Sequence, residues 1–283
     1  MNPAAPGVPG DKILRAVGRY HLLTRPQLTR LLYGRSSTTF VGEHLTRLTR
    51  AGYLRMDRVP LQIPFGGTPG VWSLRGAGAR YLRQAGLDVP TPTDRPLTSP
   101  LHLQHLLTLN DALVALERLC RDHPHLELER MRHDLELRRL RIHVRLADGR
   151  AGVVVPDAWV DLLVADAPMG LALELDRATE DEAKWARKLD GLLALAAGPY
   201  REQLGADSMT VAVITTGGQR RLAALRRWTE QALDRHGLSD WGELFCFTAA
   251  DPAVVAPEAL YLASSWIRPY AAAPCPLIPL AAS

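Results

Sequence analysis

Hydrophobic side chains in the first part of the chain recur at helical spacing in three successive segments. These segments cover residues 11–20, 24–33 and 36–51. In the third segment, Val41, Leu45 and Leu48 lie at i, i+4 and i+7 and form one apolar stripe. The pattern predicts three amphipathic helices, the third with a polar side opposite its stripe.

Two short apolar segments, 53–56 and 71–74, follow these helices and predict a pair of strands. The loop between them is rich in proline and glycine, which favours irregular backbone over helix. Three helices followed by a two-stranded hairpin is the order of a winged helix-turn-helix domain. We predict such a domain for residues 11–87.

The pattern then changes to a linker and to alternating strands and helices. Residues 88–100 contain four prolines and predict a semi-extended linker. Residues 101–270 begin with a strong helix and continue with buried strands and crossover helices, which is typical of an α/β core. The tail, 271–283, contains three more prolines and is expected to be flexible. The predicted fold class is α+β.

The charge of the chain is unevenly distributed. Residues 1–100 contain 14 Lys and Arg against 5 Asp and Glu, whereas the remaining residues contain 20 against 25. A basic domain joined to an acidic one is typical of a protein whose basic part contacts nucleic acid. A GC-rich genome would also favour arginine, but the acidic part shares that genome. We therefore predict double-stranded DNA as a partner of the first domain.

The third predicted helix and the hairpin carry the candidate DNA contacts. A helix of this kind enters the major groove, where its side chains reach base edges or phosphates, and basic residues beside it contact phosphates. The candidate residues are Arg35, Thr39, Arg47, Arg50, Arg55 and Arg58. The alternatives are that this face is merely solvated, or that the hairpin forms a homodimer.

Acidic residues adjoin two apolar runs of the second domain. Asp157 follows the run 152–155, and Glu174 and Asp176 lie at the end of a run that starts at position 170. Two strands that end in acids can direct their carboxylates to one point, and hard cations prefer oxygen ligands. We therefore predict a metal site of Asp157, Glu174 and Asp176, with Mg²⁺ or Mn²⁺ as the cation.

Pro156-Asp157, followed by Glu174 and a second acid two residues later, resembles the restriction-endonuclease-like PD-(D/E)xK superfamily. Together with the winged helix, the run from Leu173 to Glu180 and Lys188-Leu189, the chain resembles the replication-relaxation family of plasmids, phages and other mobile elements. This resemblance covers most of residues 11–250. It implies a role in the replication of such an element and in DNA relaxation, with replication or mobilisation proteins as further candidate partners.

In the nuclease pattern two carboxylates bind Mg²⁺, and a lysine orients or deprotonates the attacking water. Asp157 and Glu174 match the carboxylate positions, but Asp176 stands where the pattern has lysine. Lys184 or Lys188, on the next predicted helix, would supply the ammonium instead. The predicted catalytic residues are Asp157, Glu174, Asp176 and Lys188.

Other interpretations of these residues stay open. Asp176 is either a third metal ligand or part of a structural ion pair with Arg177 or Lys188. Asp157 is otherwise a turn residue after a proline, and the helix charges form a solvated ladder. Thr179, with Glu182 three residues later, predicts the start of that helix as a capping box.

The remaining features limit the location and class of the protein. No apolar run of about 18 or more residues predicts a transmembrane helix, so no membrane partner is expected. Cys120, Cys246 and Cys275 are too few and too far apart for a disulfide framework, which favours the cytoplasm.

Three functions are consistent with these patterns. The first is a DNA-binding protein of a mobile element, in which the second domain positions DNA or a partner. The second is a Mg²⁺-dependent endonuclease or nickase. The third is a winged-helix transcriptional regulator whose second domain binds a ligand or forms a dimer.

Overall fold

A computed structural model of the chain describes residues 5–58, 69–89, 92 and 99–280. The chain divides into two compact units, Met1–Val114 and Ala115–Ser283. The predicted loop of the hairpin and most of the predicted linker 88–100 lie outside the described residues. No helix in the described part of the chain is long and apolar enough to cross a membrane.

The first unit combines short helices with a small antiparallel sheet. Its elements are α1 (Gly7–Tyr20), β1 (Leu22–Thr24), α2 (Arg25–Leu32), α3 (Thr38–Arg50), β2 (Leu54–Arg58), β3 (Gly70–Leu74), α4 (Gly76–Gln84) and the first part of α5 (Pro100–Asp122). A 3-10 turn, Arg35–Ser37, precedes α3. The three strands pair antiparallel in the order β1-β3-β2.

Local sequence signals explain the helices of this unit. The Thr24 hydroxyl accepts from the Gln27 backbone N–H at 3.3 Å, and the Gln27 side chain accepts from the Thr24 N–H at 2.9 Å. This capping box satisfies two backbone donors at the start of α2. The predicted apolar stripe of α3 is fully buried. The three predicted helices and both strands are therefore confirmed as elements.

The first part of α5 is fastened to the first unit by buried polar contacts. Asn110 donates to the Leu22 carbonyl at 2.7 Å, and Gln27 donates to the Leu107 carbonyl at 2.7 Å. The division between the compact units falls inside α5, after Val114, rather than in the proline-rich segment. Compactness does not test whether a domain folds on its own. The boundaries at 87/88 and 100/101, as limits of independently folding domains, therefore stay predictions.

The second unit is built around a mixed five-stranded sheet. Its further elements are β4 (Leu126–His133), α6 (Asp134–Leu140), β5 (Ile142–Arg145), β6 (Ala151–Val154), β7 (Ala158–Val164), β8 (Ala167–Asp176), α7 (Glu182–Ala196), α8 (Pro199–Leu204), β9 (Thr210–Thr215), α9 (Gly218–His236), β10 (Phe245–Ala249) and α10 (Pro257–Tyr261). The sheet order is β10-β9-β8-β7-β4. Strands β8, β9 and β10 are parallel, and β7 is antiparallel to both neighbours. This mixed architecture confirms the α+β fold class.

Helices α7 and α9 cover one face of the sheet. Ala172 of β8 packs in the same apolar cluster as Leu189 of α7 and Leu225 of α9. Leu171 and Leu173 point to the other face and are buried as well. Because side chains alternate along a strand, Glu174 and Asp176 lie on the Ala172 side, facing α7 and α9.

The start of helix α7 differs from the sequence-based expectation. Helix α7 begins at Glu182, and its N-cap is Asp181, whose side chain accepts from the Lys184 N–H at 2.8 Å. Thr179 is therefore not the cap: the chain turns with positive φ at Ala178 and stays irregular up to Asp181, which delays the first helical turn.

Residues 271–280, expected to belong to a flexible tail, instead pack against the unit. The Cys275 N–H donates to the Trp266 carbonyl at 2.7 Å, and the Ile278 N–H donates to the Tyr261 carbonyl at 3.0 Å. The Ile278 side chain is fully buried. The prolines of this segment exclude regular helix, but they leave apolar side chains free to fill the core.

Candidate functional site

The start of β7 and the end of β8 bring two of the predicted acids together. The strands pair with Ala158 opposite Leu173 and Trp159 opposite Ala172. Asp157 therefore immediately precedes a strand of the main sheet, and the expectation that it ends one is wrong. Strand β6, which comes before it, belongs to a separate two-stranded sheet. Antiparallel pairing nevertheless places Asp157 beside Glu174.

Lys188 of α7 completes this group. Its ammonium contacts Glu174 Oε2 and lies 3.5 Å from Asp157 Oδ2. Asp157 Oδ2 also accepts from the Leu175 N–H at 2.8 Å, which fixes that carboxylate. Glu174 Oε1 is buried and has no hydrogen-bond partner within the described residues. We call Asp157, Glu174 and Lys188 the carboxylate–lysine cluster.

Burial dominates the electrostatics of the carboxylate–lysine cluster. It raises the pKa of Glu174 to about 8, and Asp157 adds to this shift while Lys188 opposes it. Burial alone would lower the pKa of Lys188, but Glu174, Asp157 and Glu180 together raise it above its usual value. Lys188 is thus held as an ammonium, which makes it a source of positive charge rather than a general base.

The cluster is closed on one side and open on the other. The side chain of Glu174 is 1% exposed, whereas those of Asp157 and Lys188 are 18% and 23% exposed. Lys184, the other lysine considered for this position, lies one turn earlier on α7 and is exposed. The structure therefore favours Lys188 of the two.

Asp176 lies outside the cluster, in an ion pair of its own. Arg221 of α9 donates to both of its oxygens, from Nη2 at 2.6 Å and from Nε at 2.9 Å. The Thr215 hydroxyl donates at 2.7 Å and the Ala178 N–H at 3.1 Å. Burial works to raise the pKa of Asp176, but the Arg221 and Thr215 hydrogen bonds outweigh it and lower the pKa.

These contacts correct the predicted role of Asp176 as a catalytic residue and a metal ligand. Both carboxylate oxygens are already engaged, and a cation would have to displace a bidentate guanidinium. The alternative of a structural ion pair is right in kind, but the partner is Arg221 and not Arg177 or Lys188.

The pairing of Arg221 with Asp176 is the contact that sequence reasoning missed. Arg221 lies near the start of α9, which follows β9, and β9 runs parallel to β8. Parallel neighbouring strands end at the same edge of a sheet. Residues at the start of α9, which follows β9, are therefore expected to lie beside the end of β8. Gly217 makes the approach possible, because a Cβ there would lie 2.8 Å from the Cβ of Arg221 and 2.9 Å from that of Ala178.

The remaining carboxylates suit one kind of metal ion. No group of three or more His, Cys, Asp and Glu side chains in the described ranges is arranged to hold a metal. Mg²⁺ usually keeps several waters and needs only one or two carboxylates besides substrate phosphates. The unpartnered, buried Oε1 of Glu174 is an acceptor that a cation would satisfy. Asp157 and Glu174 thus fit Mg²⁺ or Mn²⁺, whereas Asp176 does not.

The candidate DNA contacts on α3 fall into two groups. Thr39 and Arg50 are exposed and share one side of the helix with Glu43 and Thr46. Arg47 is also exposed, but its guanidinium donates to the Pro6 carbonyl at 3.2 Å and contacts His44 Nδ1 at 2.8 Å.

The candidate residues outside α3 also differ in the exposure and ion pairing of their side chains. Arg55 of β2 is paired with Asp57 at 2.7 Å and is only 17% exposed. Arg58, at the end of β2, is exposed. Arg35 belongs to the 3-10 turn before α3, and its side chain lies outside the described parts.

The fold and the site define a two-unit α+β protein with a basic N-terminal unit and a buried carboxylate–lysine cluster in the second. The sequence profile of the replication-relaxation family matches residues 14–212, and the chain belongs to this family. No curated protein and no solved structure matches the chain at a significant level.

Proposed function

We propose that this chain is a DNA-binding protein that acts in the replication or relaxation of a plasmid or another mobile element. Its first unit would bind duplex DNA as a winged helix-turn-helix. The observation that carries the proposal is the exposed polar side of α3, with Thr39, Thr46 and Arg50, in a strongly basic part of the chain. Membership of the replication-relaxation family supports the biological setting.

The order of elements supports this proposal independently of charge. Helices α1, α2 and α3, with β1 between the first two, are followed by the β2–β3 hairpin. This is the element order of a winged helix-turn-helix, in which the third helix enters the major groove. Helix α3 has 13 residues and buries only its apolar stripe, so its opposite side is free for a groove. Glu43, in the middle of that side, would disfavour phosphates and face bases instead.

DNA binding is tested with the full-length protein and a fluorescently labelled random-sequence duplex. Replacing Thr39 and Arg50 together by alanine should weaken binding and lower the slope of log K against log[salt] by about 0.9 relative to the control, since a random sequence offers Arg50 a phosphate rather than a specific base. Arg235→Ala, an exposed arginine of α9, is the charge-matched control. Binding by T39A/R50A that equals that of the control would contradict the role of α3.

A second candidate function is Mg²⁺-dependent cleavage of DNA, and the convergence of Asp157, Glu174 and Lys188 favours it. A bound Mg²⁺ would activate water and neutralise charge on the phosphate. Asp157 and Glu174 would hold the ion. Lys188, kept protonated by its neighbours, would bind the phosphate or stabilise negative charge on it, and would not remove a proton.

Cleavage is tested by incubating supercoiled plasmid with the protein and Mg²⁺ or Mn²⁺. Nicked or linear product from the wild type, and its loss in Asp157→Asn, Glu174→Gln and Lys188→Ala, would support the enzyme. Lys184→Ala is the matched control, because that lysine lies on the same helix but is exposed. Intact plasmid under conditions in which the protein is bound to it would leave DNA binding as the function and contradict cleavage.

A further inference from the structure

A basic cleft in the first unit lies where the turn after α3, strand β2 and the start of α4 meet. Its volume is about 530 Å³. The lining residues are Gly52, Arg55, Arg75, Gly76, Ala77 and Arg80. Neither Arg75 nor Arg80 belongs to α3, the hairpin or the carboxylate–lysine cluster.

Around the part of this cleft that the structure describes, arginines outnumber acidic residues. None of the lining residues is acidic, and the first turn of α4 contains no acidic residue. Arg55 has a partner in Asp57, whereas Arg75 and Arg80 are exposed. Arg80 Nη1 lies 3.5 Å from the position that a Cβ on Gly76 would take, so this guanidinium folds back over the cleft. Guanidinium groups that line one cleft repel each other, and an anion bound between them would relieve that repulsion.

The chemistry of the cleft suits an oxyanion such as a phosphate. Guanidinium groups donate two parallel hydrogen bonds, a geometry that matches the oxygens of a phosphate or a carboxylate. Glycine and alanine supply the rest of the described lining, so its other side chains are small. The shared chemistry of free phosphates and of a DNA backbone is thus compatible with the cleft.

We propose that this cleft binds phosphate groups of the DNA backbone, through Arg75 and Arg80 with Arg55 as support. The proposal rests on the proposed DNA-binding function and extends its contact surface beyond α3. Such contacts carry no sequence information, but they fix the position of the protein on the duplex. Each phosphate contact also releases counterions, so it contributes to the salt dependence of binding.

The test compares R75A/R80A with R139A/R235A, a control that removes two exposed arginines from the second unit. Affinity of the full-length proteins for a 40-bp random duplex is measured over a series of NaCl concentrations. Loss of two phosphate contacts should reduce the slope of log K against log[NaCl] by about 2 relative to the control, since each contact contributes about 0.9. Circular dichroism checks that both variants are folded.

The outcomes separate this proposal from the function on which it rests. Equal slopes for the two double variants would overturn the cleft and leave DNA binding intact. Absence of duplex binding by the wild type would overturn both. A thermal shift of the wild type by millimolar inorganic phosphate, at constant ionic strength, that R75A/R80A lacks, together with unchanged DNA slopes, would assign the cleft to a free phosphate and overturn the DNA backbone as its ligand.

Discussion

Glu174 and Asp176 lie two residues apart on the same face of β8, yet their surroundings shift their pKa values in opposite directions. Glu174 is buried, its Oε1 has no hydrogen-bond partner in the described ranges, and its pKa is raised. Asp176 is buried to almost the same degree, but a guanidinium, a hydroxyl and a backbone N–H saturate it, and its pKa is lowered. Burial alone therefore does not determine whether the pKa of a carboxyl group is raised or lowered.

The difference comes from the helices above the two acids. Helix α7 contributes the Lys188 ammonium, which forms ion pairs with both Glu174 and Asp157. Helix α9 contributes Arg221, whose guanidinium donates to both oxygens of Asp176 and also lies over the Trp228 ring. We infer that Glu174 belongs to the functional centre, whereas Asp176 holds α9 to the edge of the sheet.

The largest expected effect is on stability, from Asp176→Ala. Removing one partner of a buried pair leaves the Arg221 charge uncompensated, which costs about 3–5 kcal/mol. Urea unfolding measures this loss. Asp207→Ala, an exposed acid, is the control and should change stability by less than about 0.5 kcal/mol. Equal unfolding midpoints for the two variants would contradict a structural role of Asp176.

Lys188→Met should extend the pH dependence of stability to higher pH. The folded-state pKa of Glu174 is raised to about 8 from its ordinary 4.5, so folded protein keeps a proton that unfolding releases. Stability therefore falls as pH rises through that interval. In this interval the slope approaches about 1.4 kcal/mol per pH unit already in the wild type. Loss of the Lys188 ammonium raises the Glu174 pKa further, so the fall in stability should continue above pH 8 in K188M. Urea unfolding at pH 6.5, 8 and 9 measures the fall, and a K188M slope between pH 8 and 9 no steeper than that of the wild type would count against the coupling. E174Q/K188M should be flat.

Thr215→Val removes one hydrogen bond to Asp176 and should reduce stability less than Asp176→Ala. The hydroxyl donates to Asp176 Oδ2 and accepts from the Gly217 N–H, and hydrogen bonds to charged groups contribute about 1.5–3 kcal/mol. Thr210→Val, at the other end of β9, is the matched control. A stability loss no larger than that of T210V, measured by thermal unfolding, would show that the Thr215 hydroxyl is not needed to hold the acid.

Asp181→Ala should have the smallest effect on stability, through the helix that packs beside Glu174. The loss of the N-cap of α7 costs about 1 kcal/mol and loosens the helix that carries Lys188. Thr179→Ala, at the position that the sequence predicted as the cap, should have almost no effect. A larger loss of stability in T179A than in D181A would support the helix start predicted from the sequence and contradict the cap at Asp181.

The sequence predicted the members of the cluster better than their geometry. Asp157 and Glu174 both adjoin apolar runs, and Lys188 lies on the next helix, so local patterns were enough to group them. That Asp157 precedes a strand could not be read locally, because the run before it forms strand β6 of a separate hairpin. The Arg221 contact joins residues 45 positions apart and depends on the order of the strands, which periodicity does not determine.

The most direct test of the contrast between the two acids is a ¹³C-carboxyl NMR titration of the wild-type protein. Signals of Glu174 and Asp176 are assigned by their absence from E174Q and D176N. The structure predicts that Glu174 titrates near pH 8, well above an ordinary glutamate, and that Asp176 stays ionised below the ordinary aspartate range. Ordinary midpoints for both acids, or a raised midpoint for Asp176, would contradict the assignment of Glu174 to the functional centre and Asp176 to the framework.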